Sequence, residues 1–231
     1  MNTNRNISIV AGVLFLLAAI SSIIGVLLYG PILNDTGYII KVAAREAQVI
    51  WGAFFEIILA FAVIGTSITL FPILKKYNES MALGTVCFRL LEATIIIVGI
   101  ISLLTIVTLN QEYLRETNPT TSAYSMAGKL LLAIHNWTFL LGPNLALGPS
   151  TLMTSYLLYQ SKLVPRFIVI LGLAGGPLIF TCALLVMSGI FPQISLWGAM
   201  LAIPVFAYEM SLAVWLIVKG FKSPLVEYTS G

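Results

Sequence analysis

The sequence predicts an all-α fold: a polytopic bundle of six transmembrane helices with both termini in the cytoplasm. Two observations carry this. Of the 231 residues, 59% are hydrophobic and only 9% charged, with a mean hydropathy of +1.00, whereas a soluble domain carries about 25% charged residues. A chain so poor in charge cannot cover a water-facing surface. The second observation is six separate apolar stretches, each near the roughly 20 residues that span a bilayer.

The six predicted spans cover 7–29, 47–71, 81–107, 129–158, 167–190 and 194–218, in a single integral membrane domain. The first is too long for the apolar region of a signal peptide. Its small residues, Ala18, Ala19, Ser21 and Ser22, lie mid-run, where they do not form a cleavage site. Turn chemistry separates the spans. Gly30-Pro31 is expected to end the first, followed by Asn34-Asp35. Pro72, Lys75, Lys76 and Asn78 mark the second turn. Residues 117–122, with Pro119, form the expected longest exposed loop. Lys162, Pro165 and Arg166 divide the fourth span from the fifth, and Phe191-Pro192 makes a short link to the sixth.

Lysine and arginine favour the cytoplasmic side. An inside N-terminus puts Arg5, Lys75, Lys76, Lys162, Arg166, Lys219 and Lys222 in the cytoplasm, against Lys41, Arg45, Arg115 and Lys129 outside. The net charge of +3 reflects topology. No basic cluster tracks phosphates, so nucleic acid is not an expected partner. Cys87 and Cys182 lie in apolar runs without ligand spacing and read as small buried hydrophobes.

The last three helices are expected to be kinked. The fourth holds Gly142-Pro143-Asn144 and Gly148-Pro149, the fifth Gly175-Gly176-Pro177, the sixth Pro204. Proline removes a backbone donor and frees a carbonyl upstream, which in lipid needs another partner. Such helices are either kinked packing elements or broken helices lining a cavity. Gly175-Gly176 reads as packing or a kink.

Five ionisable residues fall inside the spans: Glu56, Arg89, Glu92, His135 and Glu209. Each charge at the bilayer centre costs about 2.5–3.5 kcal/mol on insertion scales. At about 1.5 Å per residue, Arg89, Glu209, Glu92 and Glu56 lie roughly 12–22 Å from the cytoplasmic helix ends. Arg89 and Glu92, three apart, share a face with Thr85, Gly99 and Ser102. Glu56 lies with Gly52 and Ala60, and Glu209 with Ala202 and Ala213, the small residues of close helix contacts. His135 belongs to the outer part of the fourth helix and meets the others only through tilt or water.

One arginine facing three glutamates leaves two negative charges. A proton, a charged His135, a bound cation or a cationic ligand would compensate them. The competing reading is a buried tie that holds helix register. His135 is either a hydrogen-bonded interfacial histidine or a proton-relay or ligand contact. A metal site is not expected, because the Glu/His spacing of bundle metal sites is missing. No nucleophile or phosphate-loop motif occurs, and no cofactor is expected.

The segments FRLLE (88–92), HNWTFLLGP (135–143), YLLYQSKLVPR (156–166) and EMSLAVWLIVKGF (209–221), with AGVLFLLAAISSIIG (11–25), resemble the bacterial membrane family called domain of unknown function 4386. The resemblance covers nearly the whole chain. It implies the membrane fold and a bacterial cytoplasmic membrane location. It also implies the same polar residues, Glu56, Arg89, Glu92, His135 and Glu209, but no activity. The chain departs from the pattern at Gln160, where a basic residue is expected, and at Pro149, a second break in helix four.

Three functions stay open. The first is small-ligand or proton-coupled transport or binding at a midplane site of Glu56, Arg89, Glu92, His135, Glu209 and Asn144. The second is a non-catalytic subunit or sensor whose charges fix packing. The third is an intramembrane enzyme using His135 and a glutamate. The bilayer is the expected surrounding partner. The topology is checked by fusions in cells: a green fluorescent protein at the C-terminus is expected to fluoresce, and alkaline phosphatase joined near Pro119 to be active. The reverse pattern overturns the inside assignment.

Overall fold

The computed structural model describes residues 3–33, 42, 45–117 and 119–222. Among these, the architecture is six helices long and apolar enough to cross a membrane. They are α1 (Thr3–Leu33), α2 (Glu46–Leu74), α3 (Glu79–Arg115), α4 (Thr121–Ser161), α5 (Arg166–Met187) and α6 (Leu196–Val218). Six membrane-length helices were expected, and six are found among the described residues. Each packs against its neighbours in sequence, and α1 also packs against α6, so the bundle closes into a ring.

The first four helices outrun the apolar stretches that announced them, whereas α5 ends at Met187, short of 190, and α6 begins at Leu196, after 194. Gly30-Pro31 does not end α1, which continues to Leu33, and Pro72 lies inside α2. A proline near a helix end need only redirect the few carbonyls of the last turn. Residues 117–122 are not the longest connection. α3 runs on to Arg115 and α4 begins at Thr121, so among the described connections the one between Met187 and Leu196, expected to be a short link at Phe191-Pro192, is longer. Asn34-Asp35 and Lys41 lie outside the described residues.

Polar caps supply the ends. Asn78 accepts from the Met81 amide at 2.9 Å, and Ser195 from that of Gly198 at 3.1 Å. Lys162 ends α4 in the left-handed conformation, at φ 54°. Arg5 closes the ring: its guanidinium donates to the carbonyls of Leu216 (3.1 Å), Ile217 (2.6 Å) and Val218 (3.4 Å). A cation there meets both the orphan acceptors and the negative end of α6.

The Gly/Pro pairs resolve differently from one another. In α4, Leu141–Ala146 is π-helical, a wider turn that carries the chain through Pro143. In α5, the two glycines face opposite neighbours. A Cβ on Gly175 would stand 2.7 Å from the Val205 amide nitrogen of α6, and one on Gly176 2.8 Å from the Gly148 carbonyl oxygen of α4. Gly175-Gly176 is therefore a double close-packing point. Without a hydrophobic force between helices in lipid, such backbone approach is what holds them together.

Apolar side chains cover the outside, including Phe61, Ile101, Trp51 and Val214. Cys182 is buried as expected, but Cys87 is exposed on this outer face. An apolar thiol costs nothing against lipid, so its sequence context cannot tell lipid from core. The close crossing is testable. Gly176→Val is expected to destabilise the protein by about 1–3 kcal/mol through overpacking against backbone. Gly30→Ala, whose nearest contact would be 3.9 Å from the new Cβ, is expected to leave thermal unfolding in detergent unchanged.

Candidate functional site

The structure divides the expected single cluster in two. The first centre is built on Arg89 of α3. Its Nη1 donates to Glu92 Oε2 at 3.2 Å, one turn along the same helix. Its Nη2 donates to Glu209 Oε1 at 2.7 Å, on α6 across the ring. The guanidinium also lies 5.9 Å from the centre of the Phe15 ring of α1. One buried cation thus ties three helices. Arg89 and Glu92 are buried, while Glu209 is partly open, its side chain 20% exposed.

Hydroxyls surround this triad. Thr85 is buried on the Arg89 face of α3, with the Thr154 hydroxyl 3.5 Å from its own. Tyr208, next to Glu209, is 1% exposed. Ser155 meets it at Gly172, where a Cβ would collide with both the Ser155 Oγ and the Tyr208 ring. Elsewhere on α4, the Ser150 and Thr151 hydroxyls are buried without a hydrogen-bond partner.

The second centre is built on Glu56 of α2. It does not join Arg89. Its Oε1 accepts from the Tyr29 hydroxyl of α1 at 2.6 Å. The Tyr29 ring meets the His135 ring edge-on, with centroids 5.1 Å apart. Glu56 and His135 line one cavity of about 10 Å³, with Ser22, Gly99, Thr138 and Phe139, room for about one water molecule. Both residues are buried, at 6% and 4% exposed. Glu56 Oε2 and His135 Nδ1 have no hydrogen-bond partner.

The charge count changes accordingly. The arginine faces two glutamates, not three, because Glu56 lies on the side of α2 turned towards α1 and α4. Of the predicted small residues, Gly52, Ala60, Thr85, Gly99, Ser102 and Ala213 are buried, and Ala202 is half-buried. His135 is buried although Asn136 and Trp137 beside it are exposed, so α4 turns it inward. Asn144 does not join either centre. It is half-buried in the π-helical turn and does not line the Glu56 cavity. Among the described residues no group of three or more His, Cys, Asp or Glu is placed to hold a metal.

The match of a family model, domain of unknown function 4386, runs over residues 10–220. The chain belongs to this family. No curated protein and no solved structure matches it. The two centres of this family member lie within the matched region.

Several site residues carried no signal in the sequence. Tyr29, Phe15 and Tyr208 are aromatics in apolar runs, which lipid or core explains equally well. Gln193 had a faint one. Pro143 frees the carbonyl four residues upstream, Phe139, and Gln193 Nε2 donates to that oxygen at 3.1 Å. A lone amide after Phe191-Pro192 was available for such a duty.

The triad and the Glu56 centre respond differently to substitution. Arg89→Met strands the buried Glu92 and the half-buried Glu209 carboxylates and is expected to cost about 3–5 kcal/mol. Tyr29→Phe removes one charge-assisted bond and is expected to cost about 1.5–3 kcal/mol. Thermal unfolding in one detergent ranks them. A milder loss for Arg89→Met than for Tyr29→Phe contradicts the assignment of the triad as the tie.

Proposed function

We propose that this integral membrane protein exchanges a proton at Glu56 and His135 and binds or moves a small ligand in step with it, in a bacterial cytoplasmic membrane. One observation carries the reading. Two buried ionisable side chains from different helices, each with a polar atom that has no hydrogen-bond partner, line the same water-sized cavity. A buried polar atom without a partner costs about 1–3 kcal/mol. A proton or a bound donor removes that cost, so occupancy of the cavity and the charge state of Glu56 are linked. Ionisable groups inside a membrane mark proton and substrate paths. The resemblance to bacterial sequences supports the location.

The triad supports a second reading, a subunit or sensor whose charges fix packing. Arg89 spans the ring between α3 and α6, the geometry of a structural tie. The two readings divide the site: Glu56 and His135 work, while Arg89, Glu92 and Glu209 hold.

Infrared titration of the protein in nanodiscs tests this. A protonated-carboxyl band that changes across a pH series is expected in the wild type and in Glu92→Gln, and is expected to vanish in folded Glu56→Gln. Native mass spectrometry of the same samples identifies any small molecule lost with the band. If no band titrates and every variant is only less stable, the proton reading fails and the packing role stands.

A further inference from the structure

Two more cavities share lining residues with the Glu56 cavity or with one another. The second, about 50 Å³, is lined by Val26, Tyr29, Leu33, His135, Asn136 and Ile194, with Phe139 and Gly30. The third, about 340 Å³, lies between α4 and the α5–α6 link, against Trp137, Pro192 and Gln193. His135 borders both the first and the second, and Asn136 and Ile194 border both the second and the third. Phe139 alone borders all three. The series widens steadily from the buried carboxyl to the end of the bundle that carries the α5–α6 link.

Among the described residues, no lysine or arginine lines any of the three cavities, Glu56 is the one acid and His135 the one imidazole. In a low-dielectric passage such a lining rejects anions and admits cations. The taper then selects by size. The innermost cavity has room for about one water molecule, so an organic cation stops in the outer cavity and only a proton or a small bare ion passes.

We propose that these cavities form a cation-selective access path to Glu56 from the α5–α6 link, and that the Phe139 side chain is its gate. Phe139 is half-buried, on the π-helical side of His135. Its backbone is held from two sides. Pro143 withholds the amide that would bind the Phe139 carbonyl, and Gln193 of the link supplies the donor at 3.1 Å. The link that covers the mouth is therefore fastened to the residue that closes the path, and movement of one moves the other. The inference assigns a side and a gate to the proton site proposed above and rests on that reading for its purpose, but not for its test.

The test uses the full chain with Cys87 and Cys182 replaced by Ala. Ser22→Cys puts a thiol on the innermost cavity, and Ile194→Cys puts one at the outer two. Each folded variant in nanodiscs is exposed to silver ion, then to a bulky trimethylammonium methanethiosulfonate, and the modification rate is read by mass spectrometry. Silver is expected to reach both thiols and the bulky cation only Ile194→Cys. Adding Phe139→Trp is expected to slow silver at Ser22→Cys about tenfold, because overpacking must be undone for passage, with Ile194→Cys unaffected. Phe139→Ala is expected to speed it. Gln193→Leu, which frees the link and leaves the ring, is expected to shift the rate at Ser22→Cys as well. A Ser22→Cys thiol closed to silver, or one whose rate ignores Phe139, overturns the path. Loss of the infrared band with the path intact would overturn the proton reading alone.

Discussion

The buried guanidinium of Arg89 is the constraint on which the bundle depends. Lipid provides no drive to bring apolar helices together, so specific contacts must choose the arrangement. α3 and α6 are not adjacent in the ring, yet Arg89 holds Glu209 at 2.7 Å. Moving either helix by one residue would separate the charges inside a medium where an uncompensated charge is costly. The register of half the ring therefore follows from one side chain. Glu92, one turn away, occupies the other guanidinium nitrogen, which fixes the rotation of α3 and turns its apolar side outward.

Close backbone crossings complete what the triad begins. Gly175 and Gly176 bring α5 against α6 and α4 at once, and Arg5 joins the end of α6 to α1. These are short-range contacts that tolerate little displacement. The Glu56 centre differs in kind. It has one strong bond, from Tyr29, and beside it a cavity and two unsatisfied polar atoms. A site that must change its protonation or its occupant cannot be fully bonded in one state. Each carboxylate of the triad is paired with the guanidinium, while Glu56 keeps a partnerless oxygen and lines a cavity, and that difference is the physical basis for the proposal that one holds and the other exchanges.

The prolines connect the pocket to the rest of the fold. In water a carbonyl freed by Pro143 would simply be hydrated. Within a membrane it needs a protein donor, and Gln193 supplies it. The π-helical turn and the α5–α6 link are thereby coupled.

The sequence by itself determined the membrane, the number of helices, the buried acids and the Arg89–Glu92 pair. These follow from composition, from run length and from the helical repeat, all of which are local. It also marked Glu56 and His135, because an ionisable group in an apolar run is conspicuous wherever it points. Only the tertiary structure decided that Glu56 faces Tyr29 and not Arg89, that His135 joins it, and that Asn144 joins neither. Depth along a helix can be counted from its ends, but which face meets which neighbour depends on rotations set by distant contacts. Tyr29 and Phe139 were hidden for the same reason: an aromatic in an apolar chain acquires a role only when another helix brings it a partner.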